Sequence, residues 1–164
     1  MGSHSKIHLA YIAGFLDGDG SLMLQIKKRK DGTLKRRFMA TICFYQDSRH
    51  EKYLYWIRDI LGIGYISRRN DGMTELRVNG YKQVKEILQS LIPFIRFKKD
   101  QANALYNATN LLMSIKLKSL SRNNLLELAN YIMIIQENNY ITRKKKTKQD
   151  ILDILGVDPV TTEA

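Results

Sequence analysis

The chain has 164 residues, 44% of them hydrophobic and 26% charged, which excludes a wholly disordered chain and suffices for one buried core. Lys and Arg number 27 against 16 Asp and Glu, a net charge of +11 that points to a polyanionic partner. The single cysteine, Cys43, excludes an intramolecular disulfide, and no apolar run approaches the ~18 residues of a membrane span.

Residues 1–7 are expected to be a flexible N-terminus or an expression remnant. From about His8 to Asp19 the pattern predicts a helix, with Leu9, Ile12 and Leu16 on one face. Ala10, Gly14 and Gly18 form a stripe of small residues, with Ala13 beside it, and such a surface lets a second backbone approach closely. Gly18 and Gly20 are expected to end the helix. Two acids, Asp17 and Asp19, sit at that end, where the seam would close.

The period then changes to two. Leu22, Leu24 and Ile26 point one way; Met23, Gln25, Lys27 and Arg29 point the other. Asp31-Gly32 predicts a hairpin turn. On the return strand Phe38, Ala40, Ile42 and Phe44 share the apolar face, while Lys35, Arg37, Met39, Thr41, Cys43 and Tyr45 share the polar one. A helix over about 49–61 buries Tyr53, Leu54, Ile57, Ile60 and Leu61. A second hairpin spans about 65–69 and 74–79, turning at Asn70-Asp71-Gly72, and sets Ser67, Arg69, Glu75 and Arg77 on one face. A helix follows over about 82–91, interrupted by Pro93. Three more are predicted over about 98–114, 122–138 and 148–155, the last starting on a Thr147/Asp150 capping box. Gly156 and Pro159 stop it, and residues 157–164 are expected to form a disordered tail.

The order helix–hairpin–helix–hairpin–helix makes this an α+β chain of αββαββα form. Its four strands would make one antiparallel sheet with helices on one face, followed by C-terminal helices, in a single domain over residues 8–156. A two-stranded ribbon fits the major groove of DNA. There Arg and Lys read guanine, Gln reads adenine and Glu accepts from cytosine. Gln25, Lys27, Arg29, Lys35, Arg37, Thr41, Tyr45, Ser67, Arg69, Glu75 and Arg77 are therefore candidate DNA contacts. Arg29, Lys30, Arg68 and Arg69, near the hairpin tips, suit phosphates equally well. Arg143 and Lys144, in the run Arg143-Lys144-Lys145-Lys146, suit phosphates only. Neither a membrane nor a small-molecule substrate is expected as a partner.

The run Tyr11-Ile12-Ala13-Gly14-Phe15-Leu16-Asp17-Gly18-Asp19-Gly20 resembles the LAGLIDADG motif of homing endonucleases. The layout to about Asn103, including Pro93-Phe94-Ile95-Arg96-Phe97-Lys98-Lys99-Asp100-Gln101-Ala102-Asn103, resembles the single-motif, homodimeric branch of that family. The resemblance implies site-specific, metal-dependent hydrolysis of both strands of a long pseudo-palindromic duplex, leaving 3′ overhangs. It also implies an intron-encoded protein of a chloroplast or mitochondrion. The last acid of the motif binds the catalytic metal, a role carried to Asp19, with the Gly18 carbonyl as a second oxygen ligand. Mg²⁺ suits so sparse a donor set, because it retains waters; Mn²⁺ should substitute and Ca²⁺ should bind without catalysis. One carboxylate per chain demands a twin, so the seam along Ala10, Ala13, Gly14 and Gly18 is assigned to a homodimer. Asp17 is expected to be structural. Gln46, Lys98 and His50 match the family's active-site periphery, His50 standing where the family carries arginine, with Arg49 beside it. An intron-RNA maturase or a DNA-binding regulator is the alternative, and an intact Asp19 favours cleavage.

Overall fold

The computed structural model describes residues 5–31, 35–139 and 144–158. Helix α1 (Lys6–Asp19) leads into strands β1 (Gly20–Lys28) and β2 (Arg36–Asp47). A 3₁₀ turn (Ser48–His50) precedes α2 (Lys52–Leu61), and β3 (Tyr65–Arg68), β4 (Met73–Asn79) and α3 (Tyr81–Leu91) complete the αββαββα order. Helices α4 (Lys99–Ser114), α5 (Arg122–Asn138) and α6 (Lys148–Leu155) follow.

The two hairpins join into one four-stranded antiparallel sheet of order β1-β2-β4-β3. Its register follows from the alternating pattern. Leu22 lies opposite Ile42, Leu24 opposite Ala40 and Ile26 opposite Phe38, while Phe44 lies opposite Leu76 and Ile42 opposite Val78. A slip of one residue would turn all of these toward water, so burial of one face pins the pairing. The helices cover that face, α1 and α3 against β2, α2 against β4, and α4 and α5 against β1. Ile12, Leu16, Leu22, Ile42, Phe44 and Leu76 are completely buried there. Each such side chain contributes roughly 1.5–3 kcal/mol on removal from water.

Element ends depart from the expected bounds in three places. α1 begins at Lys6, because the Ser5 side chain caps it by accepting from the Ile7 N–H at 3.3 Å. The helix expected from Arg49 opens instead with the 3₁₀ turn, where the Asp47 carboxylate accepts from the Arg49 N–H at 2.8 Å. The other end of α1 agrees with expectation: the helix runs through Gly18 to Asp19 and stops at Gly20, which is extended. A Cβ on Gly20 would lie 2.5 Å from Leu16 Cδ1 and 2.8 Å from the Leu16 carbonyl oxygen, so only glycine fits where the chain turns from helix to strand. Finally, the tail does not begin at 157. Val157 is buried, its N–H donates to the Leu152 carbonyl, and the Arg122 guanidinium holds the Asp158 carbonyl. The expected capping box at α6 is formed by Thr147 and Asp150, and α5 carries a second from Ser121 and Asn124. Residues 1–4, Gly32 and Pro159 lie outside the described residues.

Candidate DNA-cleavage site and nucleic-acid interface

The polar face of the sheet is the face without helices. Its residues are set by strand parity: Gln25, Lys27, Arg37, Tyr45, Ser67, Glu75 and Arg77 all project from it. Lys27 stands opposite Arg37, and Ser67 opposite Glu75. Lys27, Arg29, Lys35, Arg37 and Arg69 are exposed, and Gln25, Tyr45, Ser67, Glu75 and Arg77 are half-buried. Lys35 closes the first hairpin in a left-handed conformation, its carbonyl accepting from the Arg29 N–H at 2.7 Å.

Several of these groups are already engaged. The Arg77 guanidinium lies 3.1 Å from the Glu75 carboxylate, Arg69 is 2.8 Å from Asp71, and Arg29 is 3.5 Å from Asp31. The Tyr45 and Ser21 hydroxyls are hydrogen-bonded at 3.0 Å, and the Arg69 guanidinium sits over the Tyr45 ring. Thr41 departs from expectation. It is fully buried at the sheet centre, where its hydroxyl donates to Asn79 at 2.6 Å, so it supports the face rather than presenting a group on it. Arg68 turns to the helix side, where it pairs with Glu51. Arg143 lies outside the described residues.

At one end of this face an open cleft of about 920 Å³ runs along β1. Gly18, Asp19, Gln46, Lys98, Gln25 and Lys27 line it together. Four elements converge to make it: the α1 end brings Asp19, β1 brings Gln25 and Lys27, the last residues of β2 bring Gln46, and the segment before α4 brings Lys98. Lys144 lines the same cleft, as do Lys146, Gln136 and Ile132 from the C-terminal part of the chain. Lys144 apart, the sequence gives no sign of that wall, because no local pattern relates α5 to the edge of β1.

His50 does not line the cleft. It is exposed on the 3₁₀ turn, and its neighbour Arg49 is committed to Asp47 at 2.8 Å. Gln46 is placed by its amide oxygen, which accepts from the Asp47 N–H at 2.9 Å. Lys98 is 6% exposed, and its ammonium donates to the Asp17 carbonyl. Burial pushes the Lys98 pKa down from its ordinary value, and the nearby carboxylates of Asp17 and Asp19 oppose that shift.

Asp17 and Asp19 sit at the negative pole of the α1 macrodipole, and the last turn of the helix contains no basic residue. Asp17 is relieved by two amides: its carboxylate accepts from Arg96 N–H at 2.7 Å and Lys98 N–H at 3.0 Å. Asp19 is exposed. Its carboxylate, the free carbonyls of a helix end and the helix dipole together favour a hard cation. No group of three His, Cys, Asp or Glu side chains able to hold a metal occurs among the described residues.

The other face of α1 is equally specific. Ala10, Gly14 and Gly18 are exposed, and a Cβ on Gly14 or Gly18 would meet nothing within 4 Å in its own chain. Ala13, expected on the seam, is instead fully buried in the core of its own chain. Ile7 and Tyr11 on the same helix are also exposed.

The model of the LAGLIDADG endonuclease family matches residues 12–100, from the middle of α1 to the start of α4. The chain belongs to the LAGLIDADG endonuclease family. It is 35% identical over 99 residues to the DNA endonuclease I-CvuI of Chlorella vulgaris, covering 60% of this chain and 62% of that protein. It is 28% identical over 152 residues to the DNA endonuclease I-CreI of Chlamydomonas reinhardtii, covering 93% of this chain and 91% of that one. The crystal structure of I-CvuI with its DNA target and calcium superposes with a TM-score of 0.80 at 27% identity, covering 94% of this chain and 98% of that one. A second I-CvuI complex, with the I-CreI target and magnesium, shows the DNA uncleaved and superposes equally well, at 26% identity over 92% of this chain and 94% of that one. As a LAGLIDADG endonuclease, the chain carries its motif on α1, so that the motif supplies both the open helix face and the acid at the cleft.

Proposed function

We propose that this protein is a site-specific homing endonuclease. It binds a long pseudo-palindromic duplex as a homodimer and hydrolyses one phosphodiester in each strand, leaving 3′ overhangs. The observation that carries this reading is the position of Asp19. It stands exposed at the negative end of a helix whose small-residue face is open, and it shares a cleft with cations of the sheet.

Packing two α1 helices along Ala10, Gly14 and Gly18 brings two Asp19 carboxylates together at the two-fold axis. Asp19 and the Gly18 carbonyl hold a divalent metal, Mg²⁺ by preference, with Mn²⁺ able to replace it and Ca²⁺ supporting binding alone. The metal, when bound, lowers the pKa of a water and offsets charge at the scissile phosphate. Lys98 places a positive charge where the phosphate gains negative charge, and Gln46 offers its amide NH₂ to order water. Lys27, Arg37 and Arg69, with Lys144 at the cleft, hold the DNA backbone, while Gln25 and the Glu75–Arg77 pair face base edges. An organellar intron, in chloroplast or mitochondrion, is the assigned origin.

Incubation with a library of long randomised duplexes tests this. Site-specific double-strand cuts are expected in Mg²⁺, and binding without cuts in Ca²⁺. Asp19→Asn should abolish cleavage while DNA affinity is retained. Tight binding by the wild-type protein with no cut in Mg²⁺ or Mn²⁺ would overturn the reading in favour of a non-cleaving regulator.

A further inference from the structure

We infer that Asp17 is a positioning residue, which grips the Lys98 segment and so sets the distance between Lys98 and the acid of the motif; this rests on the endonuclease reading above. Three contacts converge on the one residue. Its carboxylate accepts from the N–H groups of Arg96 at 2.7 Å and Lys98 at 3.0 Å, and its own carbonyl accepts from the Lys98 ammonium. The two amides belong to alternate residues, so the grip straddles Phe97, whose side chain is thrown outward and is 82% exposed.

The sequence separation explains why a clamp is needed. Asp19 is carried by α1, whereas Lys98 lies some 80 residues later and leads into α4. Lys98 occupies the N-cap position of α4 without a side-chain cap of its own. The Asp17 carboxylate therefore supplies from another helix the negative charge that the α4 N-terminus favours. It is 9% exposed, so its hydrogen bonds face little competition from water. A helix C-terminus is an unfavourable place for a carboxylate, and these amides are what make it tolerable. One end of α1 thus bears both the acid of the site and the group that fixes the lysine opposite.

The grip has three readouts: amide hydrogen exchange of Arg96 and Lys98, single-turnover cleavage of a duplex recovered from the randomised library, and affinity for that duplex in Ca²⁺. In Asp17→Ala the two amides should exchange faster, and the cleavage constant should fall roughly 10–100-fold, the usual loss when a group that orients catalytic residues is removed. Affinity should remain within about twofold, since Asp17 is buried away from the DNA face. Asp17→Asn retains one acceptor oxygen and should lose less, which also guards against a poorly folded alanine variant. Faster amide exchange with an undiminished cleavage constant would overturn the inference. So would a loss of cleavage matched by an equal loss of affinity, which is the signature of general unfolding. A wild-type protein that cuts nothing fails upstream, overturning the endonuclease reading and this inference with it; a wild type that cuts, with variants that cut as fast, overturns the clamp alone.

Discussion

At the scale of single residues, the polar face of the sheet is supported from within. Thr41 and Cys43 have the parity of reading residues but are fully buried, and neighbours with longer side chains stand over them. Burial pushes the Cys43 thiol up to about 11, and Glu75 adds to the shift. An unfolded thiol ionises near its ordinary value of 9.0, so between pH 9 and 11 the unfolded chain binds fewer protons than the folded one. Stability from this group is therefore complete below pH 9 and is lost as pH rises, by about 1.4 kcal/mol per pH unit. Denaturant melts of wild type and Cys43→Ala across pH 8–11 should diverge with that sign; parallel curves would show that the thiol ionises freely in the folded protein. Asp17 and Asp19 show the same dependence on surroundings. Two residues apart, one is satisfied by amides and the other is open to the cleft.

At the scale of elements, α1 has three separate tasks. Ile12, Ala13 and Leu16 anchor it in the core, Ala10, Gly14 and Gly18 leave a flat outer face, and its last turn enters the site. These tasks separate cleanly under mutation. A side chain at Gly14 meets nothing in its own chain, and replacing a helical glycine removes a propensity cost of about 1 kcal/mol. Gly14→Leu should leave the folded protomer intact while holding two helices apart. Sedimentation should then show monomers with unchanged circular dichroism, and cleavage should be lost with them. A variant that remains dimeric would place the seam on another surface.

At the scale of the whole molecule, charge governs association. A dimer carries twice +11, and much of that charge lies on one sheet face and along the cleft. Each phosphate neutralised releases counterions, so affinity falls steeply with salt. With six to ten phosphate contacts, raising salt from about 50 to 200 mM should weaken binding roughly 10³–10⁵-fold. Filter binding across that range measures the slope. A shallow slope would mean that the lysines and arginines of the sheet do not meet the backbone.

The sequence by itself determined everything that depends on local periodicity. The alternation from Leu22 to Tyr45 set which residues share a face, because strand side chains repeat every two positions regardless of what packs on them. The same holds for the αββαββα order and the capping box at Thr147. Tertiary structure alone decided questions of burial and convergence. Ala13 and Gly14 are neighbours and the two smallest residue types, yet one fills the core and the other faces outward, a choice made by the way α1 rolls onto β2. His50 matched by position but sits exposed on a 3₁₀ turn that Asp47 caps, and it does not line the cleft. Lys98 reaches the motif only because Asp17 holds its backbone across some 80 residues of chain. Nothing in local sequence records a contact of that range, since its partners are backbone amides, which every residue but proline carries.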